Sequence, residues 1–327
     1  MRILLINFGG IGDEILFLPT IISLKKEFPQ AHITLALEPR SRGIADLTGK
    51  IDDVILVDLK RGNKYFELLK LVMRAWAGRY DMVVSSGANK LIPILLAGMG
   101  IKKRYGYDSG ALSQKLLTVA VPLNKNQYAA AMYHDLIAPI TEHRTALPEF
   151  DVERLPIVEN SVLIHPGVSK ISVEKNMIKT ITPDVWADVV RGLAAAGKKV
   201  RLVGGPDDEE CISRIVELCA DVDFENLYGT TKNLKELAQL ISSAEKFICS
   251  DSAPLHVAVA LGVKTYAIFG PTDDKKLIPP CVVALKANDK CPLKPCLWER
   301  RQTSCETLDC LKISAESIVN TVLQVLS

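Results

Sequence analysis

A glycine-rich loop near the start of the chain leads directly into an acidic residue. Gly9, Gly10 and Gly12 precede Asp13, and the apolar residues of a predicted helix begin at Ile15. Glycine lets the backbone turn sharply and approach a ligand closely, while the first turn of a helix presents unpaired N–H groups and a positive dipole end. The loop therefore predicts a place where an anion or a carboxylate is stabilised. The structural alternative is that Asp13 is an ordinary acidic residue capping its helix.

The same loop partly matches the dinucleotide-binding fingerprint Gly-x-Gly-x-x-Gly. Gly10 and Gly12 fit, but Ile15 stands where the third small residue is expected. Glu38, after the second predicted strand, takes the place of the acidic residue that binds a ribose. A nicotinamide- or flavin-dependent oxidoreductase is therefore an alternative function.

Hydroxyl and basic side chains follow the first predicted strand of the second half. This strand opens into a His-Pro-Gly turn that ends at Gly167; Ser169 comes next, and Lys175 and Lys179 stand further along. Lysine binds phosphate as a point charge, although a loop lysine is more often solvated surface. The segment is a candidate phosphate site.

A second candidate anion site lies later in the same half. Asp251 and Ser252 end one strand and begin a helix that contains His256, so the N–H groups of that helix are available to an anion. The next strand is followed by a tight loop with Gly270 and Thr272. Loops from successive strands thus converge on one region. The structural alternative for His256 is a half-buried helix histidine with its hydrogen bonds satisfied.

Short β-branched segments alternate with segments of helical periodicity, which predicts α/β domains with parallel sheets covered by helices. The pattern starts again in the second half, so two doubly wound domains are expected, with ligands bound beyond the strand ends. The predicted strands span residues 2–8, 33–37, 54–58, 82–85 and 117–121, then 162–165, 199–203, 246–249, 265–269 and 282–285. Predicted helices include residues 184–196, 234–243 and 314–326.

A proline-containing, charged segment at residues 148–159 is the predicted linker. It divides the chain into a domain over residues 1–155 and a domain over residues 156–312. Residues 313–327 are predicted to form a final helix that packs back on the first domain.

Composition limits the classes of function. With 327 residues, 48% hydrophobic and 24% charged, the chain is typical of a globular protein, and a net charge of +2 does not favour nucleic acid as a partner. The apolar run at residues 91–101 is about half of the roughly 20 residues that cross a bilayer. The N-terminus lacks the unbroken apolar centre of a secretory signal, so we expect a cytoplasmic protein with reduced thiols.

Four of the eight cysteines are clustered near the C-terminus. Cys291, Cys296, Cys305 and Cys310 have the spacing Cys-x4-Cys-x8-Cys-x4-Cys. Four thiolates can complete a tetrahedral zinc site, but the usual signature has two-residue spacing within at least one pair. Free or paired thiols are the favoured interpretation and a structural zinc site is the alternative.

Taken together, these motifs resemble those of the glycosyltransferase family 9 proteins, the lipopolysaccharide heptosyltransferases and their relatives. The resemblance extends over nearly the whole chain. It rests on Gly12-Asp13 with Pro19, on His165-Pro166-Gly167, on Lys179 and Pro183 before Trp186, on Asp251-Ser252 with His256, and on Phe269-Gly270-Pro271-Thr272.

The resemblance implies a GT-B fold, with two Rossmann-like domains facing a central cleft. The first domain would bind the acceptor and the second the nucleotide-sugar donor. The implied reaction moves a sugar, typically heptose from ADP-heptose, to the inner core on lipid A at the cytoplasmic face of the inner membrane, with inversion of the anomeric centre. It implies a lipid-linked glycan acceptor, peripheral membrane contact and no metal in the chemistry.

By position, the resemblance implies that Asp13 is the general base, in a loop with Gly10 and Gly12 on the acceptor side. Lys179 would hold the donor phosphates. The remaining implied donor-site residues are Gly167, Ser169, Asp251, Ser252, Ala253, His256, Gly270 and Thr272. Closure of the two domains is expected to assemble the site and exclude water.

The chain departs from the family pattern in the donor half. Ala253 replaces a glycine, and Ile181 replaces the aromatic residue expected soon after Lys179. An additional segment at residues 171–178 makes Lys175 a rival for the phosphate-binding role. A non-catalytic nucleotide-sugar binder is therefore a further alternative, although the intact Asp13 counts against it.

Overall fold

A computed structural model describes residues 1–288, 291–297 and 305–324 of the chain. The chain forms two compact units, Met1–Asp151 and Val152–Ser327. Each unit contains one parallel six-stranded sheet covered by helices, which confirms the predicted α/β fold class. No helix in these described ranges is both long and apolar enough to span a membrane.

The first unit has a sheet in which the strand order reverses next to its first strand. The order is β3-β2-β1-β4-β5-β6, and all neighbouring strands are parallel. The loops after β1 and β4 therefore leave the sheet in the crevice where such folds bind ligands. The strands are β1 (Arg2–Ile6), β2 (His32–Leu37), β3 (Asp53–Leu56), β4 (Met82–Ser85), β5 (Lys103–Tyr107) and β6 (Val119–Val121).

Five α-helices cover this sheet. They are α1 (Ile11–Glu27), α2 (Lys64–Gly78), α3 (Ile92–Gly98), α4 (Ala111–Leu116) and α5 (Ala129–His134), with 3-10 turns at Pro39–Leu47 and Asp135–Ile137. Residues 14–24 of α1 are all buried, and α5 is the helix with which α1 makes its most extensive contact. This burial fixes the position of α1 and of the loop that leads into it.

The second unit repeats the same topology. Its sheet has the parallel order β12-β11-β10-β7-β8-β9, so the crevice lies beyond β7 and β10. The strands are β7 (Val158–His165), β8 (Lys199–Leu202), β9 (Glu225–Asn226), β10 (Ala244–Ser250), β11 (Lys264–Ile268) and β12 (Val283–Leu285).

The helices of the second unit include the final helix of the chain. They are α6 (Lys170–Glu174), α7 (Pro183–Ala195), α8 (Glu209–Leu218), α9 (Leu234–Ser242), α10 (Ala253–Ala260), α11 (Asp274–Leu277) and α12 (Ala315–Leu323), with 3-10 turns at Pro206–Asp208 and Asp309–Leu311. α12 packs against α7 and buries Ile318, Val319 and Val322 in the core around Trp186. The predicted packing of α12 on the first domain stays a prediction, and Leu326 lies outside the described residues.

The strands predicted from sequence are all present, with ends that differ by a few residues. Two further strands, β5 and β9, were not predicted. β5 has the sequence KRYGY and its first residue is exposed, and β9 has only two residues, both exposed. Neither shows the apolar run on which strand prediction depends. The boundary between the two units falls between residues 151 and 152, four residues before the predicted boundary.

Candidate active site

Asp13 lies in the first turn of α1, directly beyond the end of β1. Its Oδ2 accepts a hydrogen bond from the Gly10 N–H at 2.8 Å. A methyl group on Gly9 would overlap the Asp13 side chain, which explains the glycine at that position. The carboxylate is therefore held at the start of the helix by a backbone donor, as predicted for a helix cap.

This arrangement argues against the nicotinamide alternative. A Rossmann dinucleotide site uses the free N–H groups at this helix terminus to bind pyrophosphate, and here the Asp13 carboxylate occupies one of them. Glu38 is buried at the start of the 3-10 turn Pro39–Leu47, where burial raises its pKa. It therefore lacks the exposed carboxylate that a ribose would need.

Asp13 has a second partner from α5. The Tyr133 hydroxyl donates to Asp13 Oδ1 at 3.4 Å. Burial, and then the negative charge of Asp13, raise the pKa of Tyr133 well above its ordinary value, so Tyr133 remains a protonated donor. Its ring stands edge-on to Phe17 of α1, with centroids 5.7 Å apart. The arrangement can hold a carboxylate in one orientation toward a bound hydroxyl.

Two neighbours of Asp13 carry charge or a titratable proton and were not predicted. The Arg40 guanidinium lies beside Gly10 and is exposed, so it is available to an anionic acceptor. The Glu14 side chain is fully buried, and among the described residues neither of its carboxyl oxygens has a hydrogen-bond partner in good geometry. Burial, then the charge of Asp13, raise the pKa of Glu14 well above its ordinary value. Burial therefore favours the neutral form of the Glu14 carboxyl, which adjoins the candidate base in sequence.

The protonation of Glu14 leads to a pH-dependent stability prediction. The pKa of Glu14 is higher in the folded than in the unfolded protein. Its contribution to the free energy of unfolding is therefore fully present below the unfolded pKa, and it is lost as pH rises toward the folded pKa, because the unfolded state then gives up a proton that the folded state keeps. We expect Glu14→Gln to raise the melting temperature at pH 7.5, by about 2–4 °C for each kcal/mol gained, and to have little effect near pH 4. Thermal melts at both pH values measure this.

The exposed Glu142→Gln is the matched control for that experiment, and its melting temperature should follow the wild type at both pH values. A Glu14→Gln variant that is less stable than the wild type at pH 7.5 would contradict this prediction.

In the second unit, a buried contact between a histidine and an aspartate joins the loop after β7 to the loop after β8. His165 Nε2 lies 3.3 Å from Oδ2 of Asp208, and both side chains are buried. Asp208 Oδ2 also accepts the Gly205 N–H at 2.9 Å. A methyl group on Gly167 would overlap the Asp208 carboxylate. Gly167 follows β7, and the absence of a side chain at this position accommodates Asp208; its role in donor binding stays a prediction.

The predicted phosphate-binding residues meet at the ends of β10 and β11. The Lys179 ammonium lies 3.3 Å from the buried Asp251 carboxylate, and the Thr272 hydroxyl donates to the same carboxylate at 2.8 Å. Asp251 thus orients a cation and a hydroxyl. Lys175, the rival, is exposed on the loop after α6, so Lys179 is the better placed of the two.

A set of hydroxyl contacts joins the three loops that carry these residues. The Ser250 hydroxyl donates to the Pro166 carbonyl at 2.9 Å, and the Thr180 hydroxyl donates to the same carbonyl at 2.6 Å. The indole N–H of Trp186 donates to Thr180 Oγ1 at 3.1 Å. Ser250 and Thr180 were not predicted as functional residues. They fix the spacing between the Lys179 segment and the ends of β7 and β10.

The remaining predicted donor residues lie in the segments that follow β7, β10 and β11. Ser252 has extended backbone angles at the N-cap of α10, Ala253 begins the helix and His256 is buried in its first turns. Ser169 precedes α6, where its hydroxyl lies 2.9 Å from that of Ser172. Gly270 has no room for a side chain, because Leu311 packs against it.

Two of the four clustered cysteines contact the loop that follows β11. The Cys296 N–H donates to the Pro271 carbonyl at 2.8 Å, and Cys310 lies against Gly270. Burial raises the pKa of the Cys296 thiol, and charge on the neighbouring Cys291 and Cys305 would raise it further. Within the ranges that the structure describes, no three His, Cys, Asp or Glu side chains are grouped so as to hold a metal ion. The zinc alternative stays a prediction.

The topology and the site define a class. Two Rossmann-like units, each with candidate residues at its topological switch point, are characteristic of GT-B glycosyltransferases. Residues 69–305 match the model of glycosyltransferase family 9 (heptosyltransferase), so the chain belongs to this family and is a glycosyltransferase. The oxidoreductase alternative is not favoured.

Individual relatives agree with this assignment. Lipopolysaccharide heptosyltransferase 3 of Escherichia coli K12 is 26% identical over 283 residues, which is 80% of this chain and 80% of the relative. A glycosyl transferase family 9 structure from Veillonella parvula has a TM-score of 0.77 at 22% identity, covering 98% of this chain and 95% of the other.

A second solved structure contains a donor analogue. E. coli heptosyltransferase WaaC with ADP-2-deoxy-2-fluoro heptose has a TM-score of 0.75 at 16% identity, covering 98% of this chain and 99% of that one. At these levels of identity, both solved structures show that the chain has the GT-B fold.

Proposed function

We propose that the protein is an inverting heptosyltransferase that moves heptose from ADP-heptose to a lipid-linked glycan acceptor of the lipopolysaccharide core type. The relatives named above support the donor and the acceptor class. The observation that carries the proposal is the buried Asp251 carboxylate holding the Lys179 ammonium and the Thr272 hydroxyl at the strand ends. A diphosphate is bound by a cation in a defined position, and this arrangement positions the Lys179 ammonium.

The donor half would stabilise the leaving group. As the bond between the anomeric carbon and the diphosphate oxygen breaks, negative charge develops on ADP. In this chain the Lys179 ammonium and the N-terminal N–H groups of α10 are the groups available to that charge. The Thr272 hydroxyl gives its one hydrogen to Asp251, and Asp251 acts through Lys179, so both are positioning residues in this mechanism.

The acceptor half would supply the base. Asp13 removes the proton from the attacking acceptor hydroxyl as that oxygen bonds to the anomeric carbon on the face opposite the departing ADP. The Gly10 N–H and the Tyr133 hydroxyl hold the carboxylate in orientation. Because one displacement occurs, the configuration at the anomeric centre is inverted.

The proposal extends to the surroundings of the enzyme. The acceptor is lipid-linked, so we place the protein in the cytoplasm with peripheral contact at the inner face of the inner membrane. No metal is required for the chemistry, since a lysine and backbone donors neutralise the diphosphate. The four clustered cysteines are proposed to remain thiols, and metal analysis of protein purified without chelator distinguishes thiols from a zinc site.

A ligand screen by thermal shift tests the donor assignment. A ligand of the native state raises its melting temperature by mass action. We expect ADP and ADP-heptose to stabilise the protein, by about 2.7 kcal/mol at a hundredfold excess over Kd, while NAD has no effect. Stabilisation by NAD alone would restore the oxidoreductase alternative. ADP-heptose binding without transfer to any core acceptor would favour the non-catalytic binder.

A further inference from the structure

Helix α2 exposes an apolar face to solvent. Tyr65, Leu69, Met73 and Trp76 recur at intervals of three to four residues and therefore share one side of the helix, with Phe66 beside them. All five are exposed, from 46% for Met73 to 79% for Tyr65. Of the whole helix, only Leu71 and Ala75 are buried. An ordinary surface helix directs its apolar side to the core, so this face is available to another surface.

The two following helices on the same side of the sheet extend that face. The Trp76 indole N–H donates to the Gly98 carbonyl at the end of α3, at 3.0 Å, and α3 packs on α4. Leu91 and Ile94 of the α3 segment and Leu112 of α4 are also exposed. We call the eight residues the apolar face: Tyr65, Phe66, Leu69, Met73, Trp76, Leu91, Ile94 and Leu112.

One end of the apolar face lies at the same edge of the sheet as Asp13. α2, α3 and α4 follow the parallel strands β3, β4 and β5, so each helix begins at the carboxyl edge, where α1 also begins. Tyr65, Phe66, Leu91 and Leu112 belong to these helix starts. A surface bound there would lie near the acceptor side of the first unit.

Positive charge surrounds the apolar face. Between Asp58 and Lys115 the sequence has eleven basic and four acidic residues, although the net charge of the whole chain is only +2. Lys64, Lys90 and Lys115 are exposed beside the apolar residues. The single acidic residue of α2, Glu67, is paired with Lys70 at 2.7 Å. The acidic lipids of a membrane are complementary to this charge.

We infer that the apolar face and its lysines dock the first unit on an anionic lipid bilayer. Tryptophan, tyrosine and phenylalanine insert at the boundary between headgroups and acyl chains, while lysine and arginine attract acidic headgroups. A dimer interface would use the apolar residues but gain nothing from a rim of one charge sign. The inference rests on the proposed lipid-linked acceptor, which lies in such a surface.

Vesicle co-sedimentation of the full chain tests this. The wild type should bind vesicles of phosphatidylethanolamine with phosphatidylglycerol, should bind phosphatidylcholine vesicles weakly, and should be released by salt. The double variant Phe66→Glu/Leu69→Glu and the double variant Lys64→Glu/Lys90→Glu should each lose roughly tenfold or more in partition. Leu155→Glu/Ile157→Glu, which changes two exposed apolar residues of the second unit, is the control and should bind as the wild type.

A soluble core acceptor without its lipid separates this inference from the proposed function. Phe66→Glu/Leu69→Glu should transfer heptose to that acceptor at the wild-type rate, because both side chains are exposed on the solvent side of α2 and neither is among the hydrogen-bond partners of Asp13. If the wild type binds the anionic vesicles but transfers no heptose to the soluble acceptor, only the proposed function is contradicted. Wild-type binding that is equal for both vesicle types overturns the docking inference. The inference is also overturned if Phe66→Glu/Leu69→Glu binds the anionic vesicles normally and sedimentation analysis shows a dimeric wild type and a monomeric variant.

Discussion

Replacing Asp13 with asparagine is expected to reduce heptose transfer by about 10²- to 10⁴-fold, the usual contribution of a general base. Asparagine can still accept the Gly10 N–H through its side-chain oxygen, so the start of α1 should remain intact. The affinity for ADP should be unchanged, since Lys179 and Thr272 belong to the other unit. Initial rates at saturating donor, with calorimetric titration of ADP, provide both measurements.

Asp13→Ala is the companion variant to Asp13→Asn. It removes the acceptor of the Gly10 N–H as well as the base, so it should lose about 0.5–1.5 kcal/mol of stability without a much greater loss of rate. A turnover for Asp13→Asn within twofold of the wild type would show that some other group removes the proton.

Replacing Lys179 is expected to have the largest effect on donor binding. A charge-assisted hydrogen bond contributes about 1.5–3 kcal/mol, so Lys179→Ala should weaken ADP binding roughly 10- to 150-fold. The exposed Lys175→Ala is the matched control and should change the affinity by less than about twofold. Isothermal titration with ADP measures both.

The Lys179 experiment needs a second variant, because removing the ammonium leaves the Asp251 carboxylate buried without its cation. Such an unpaired charge destabilises the fold. Lys179→Met with Asp251→Asn removes both charges and should restore stability but not ADP affinity. A normal ADP affinity in that double variant, or a larger loss in Lys175→Ala, would transfer the phosphate-binding role away from Lys179.

The fold could be predicted because its central strands are buried on both faces. Residues 3–6 and 162–164 are apolar without interruption, and the glycine loops that follow them are local in sequence. β5 was missed because its residues are basic at one end and contain a glycine. A strand of that composition is stabilised by its neighbours β4 and β6, and the sequence of the segment alone does not reveal this.

The candidate site was predicted less completely than the fold. Asp13 follows β1, Lys179 follows β7 and Asp251 follows β10, so these three residues lie in segments next to the switch points of the two sheets, whereas Thr272 follows β11. Their functional roles stay predictions. The sequence did not reveal that Asp251 is a buried partner of Lys179 and Thr272. An acidic residue before a helix suggests instead that it caps the helix or contacts the ligand directly.

Long-range partners were missed for a physical reason. Tyr133 is 120 residues from Asp13, and Asp208 is distant from His165, so no spacing rule connects either pair. In the structure, a methyl group on Gly167 or on Gly204 would crowd the Asp208 side chain. The only trace of this packing in the sequence is the pair of glycines themselves, and they do not identify Asp208 as the residue that they accommodate.

The anomeric configuration of the reaction product tests the central claim most directly. A single carboxylate acting as base, with the diphosphate leaving from the opposite face, permits one displacement. Nuclear magnetic resonance of the heptosylated acceptor should therefore show the configuration opposite to that of the ADP-heptose donor. A product that retains the donor configuration would contradict the account, because it would require a second displacement that the assigned groups do not provide.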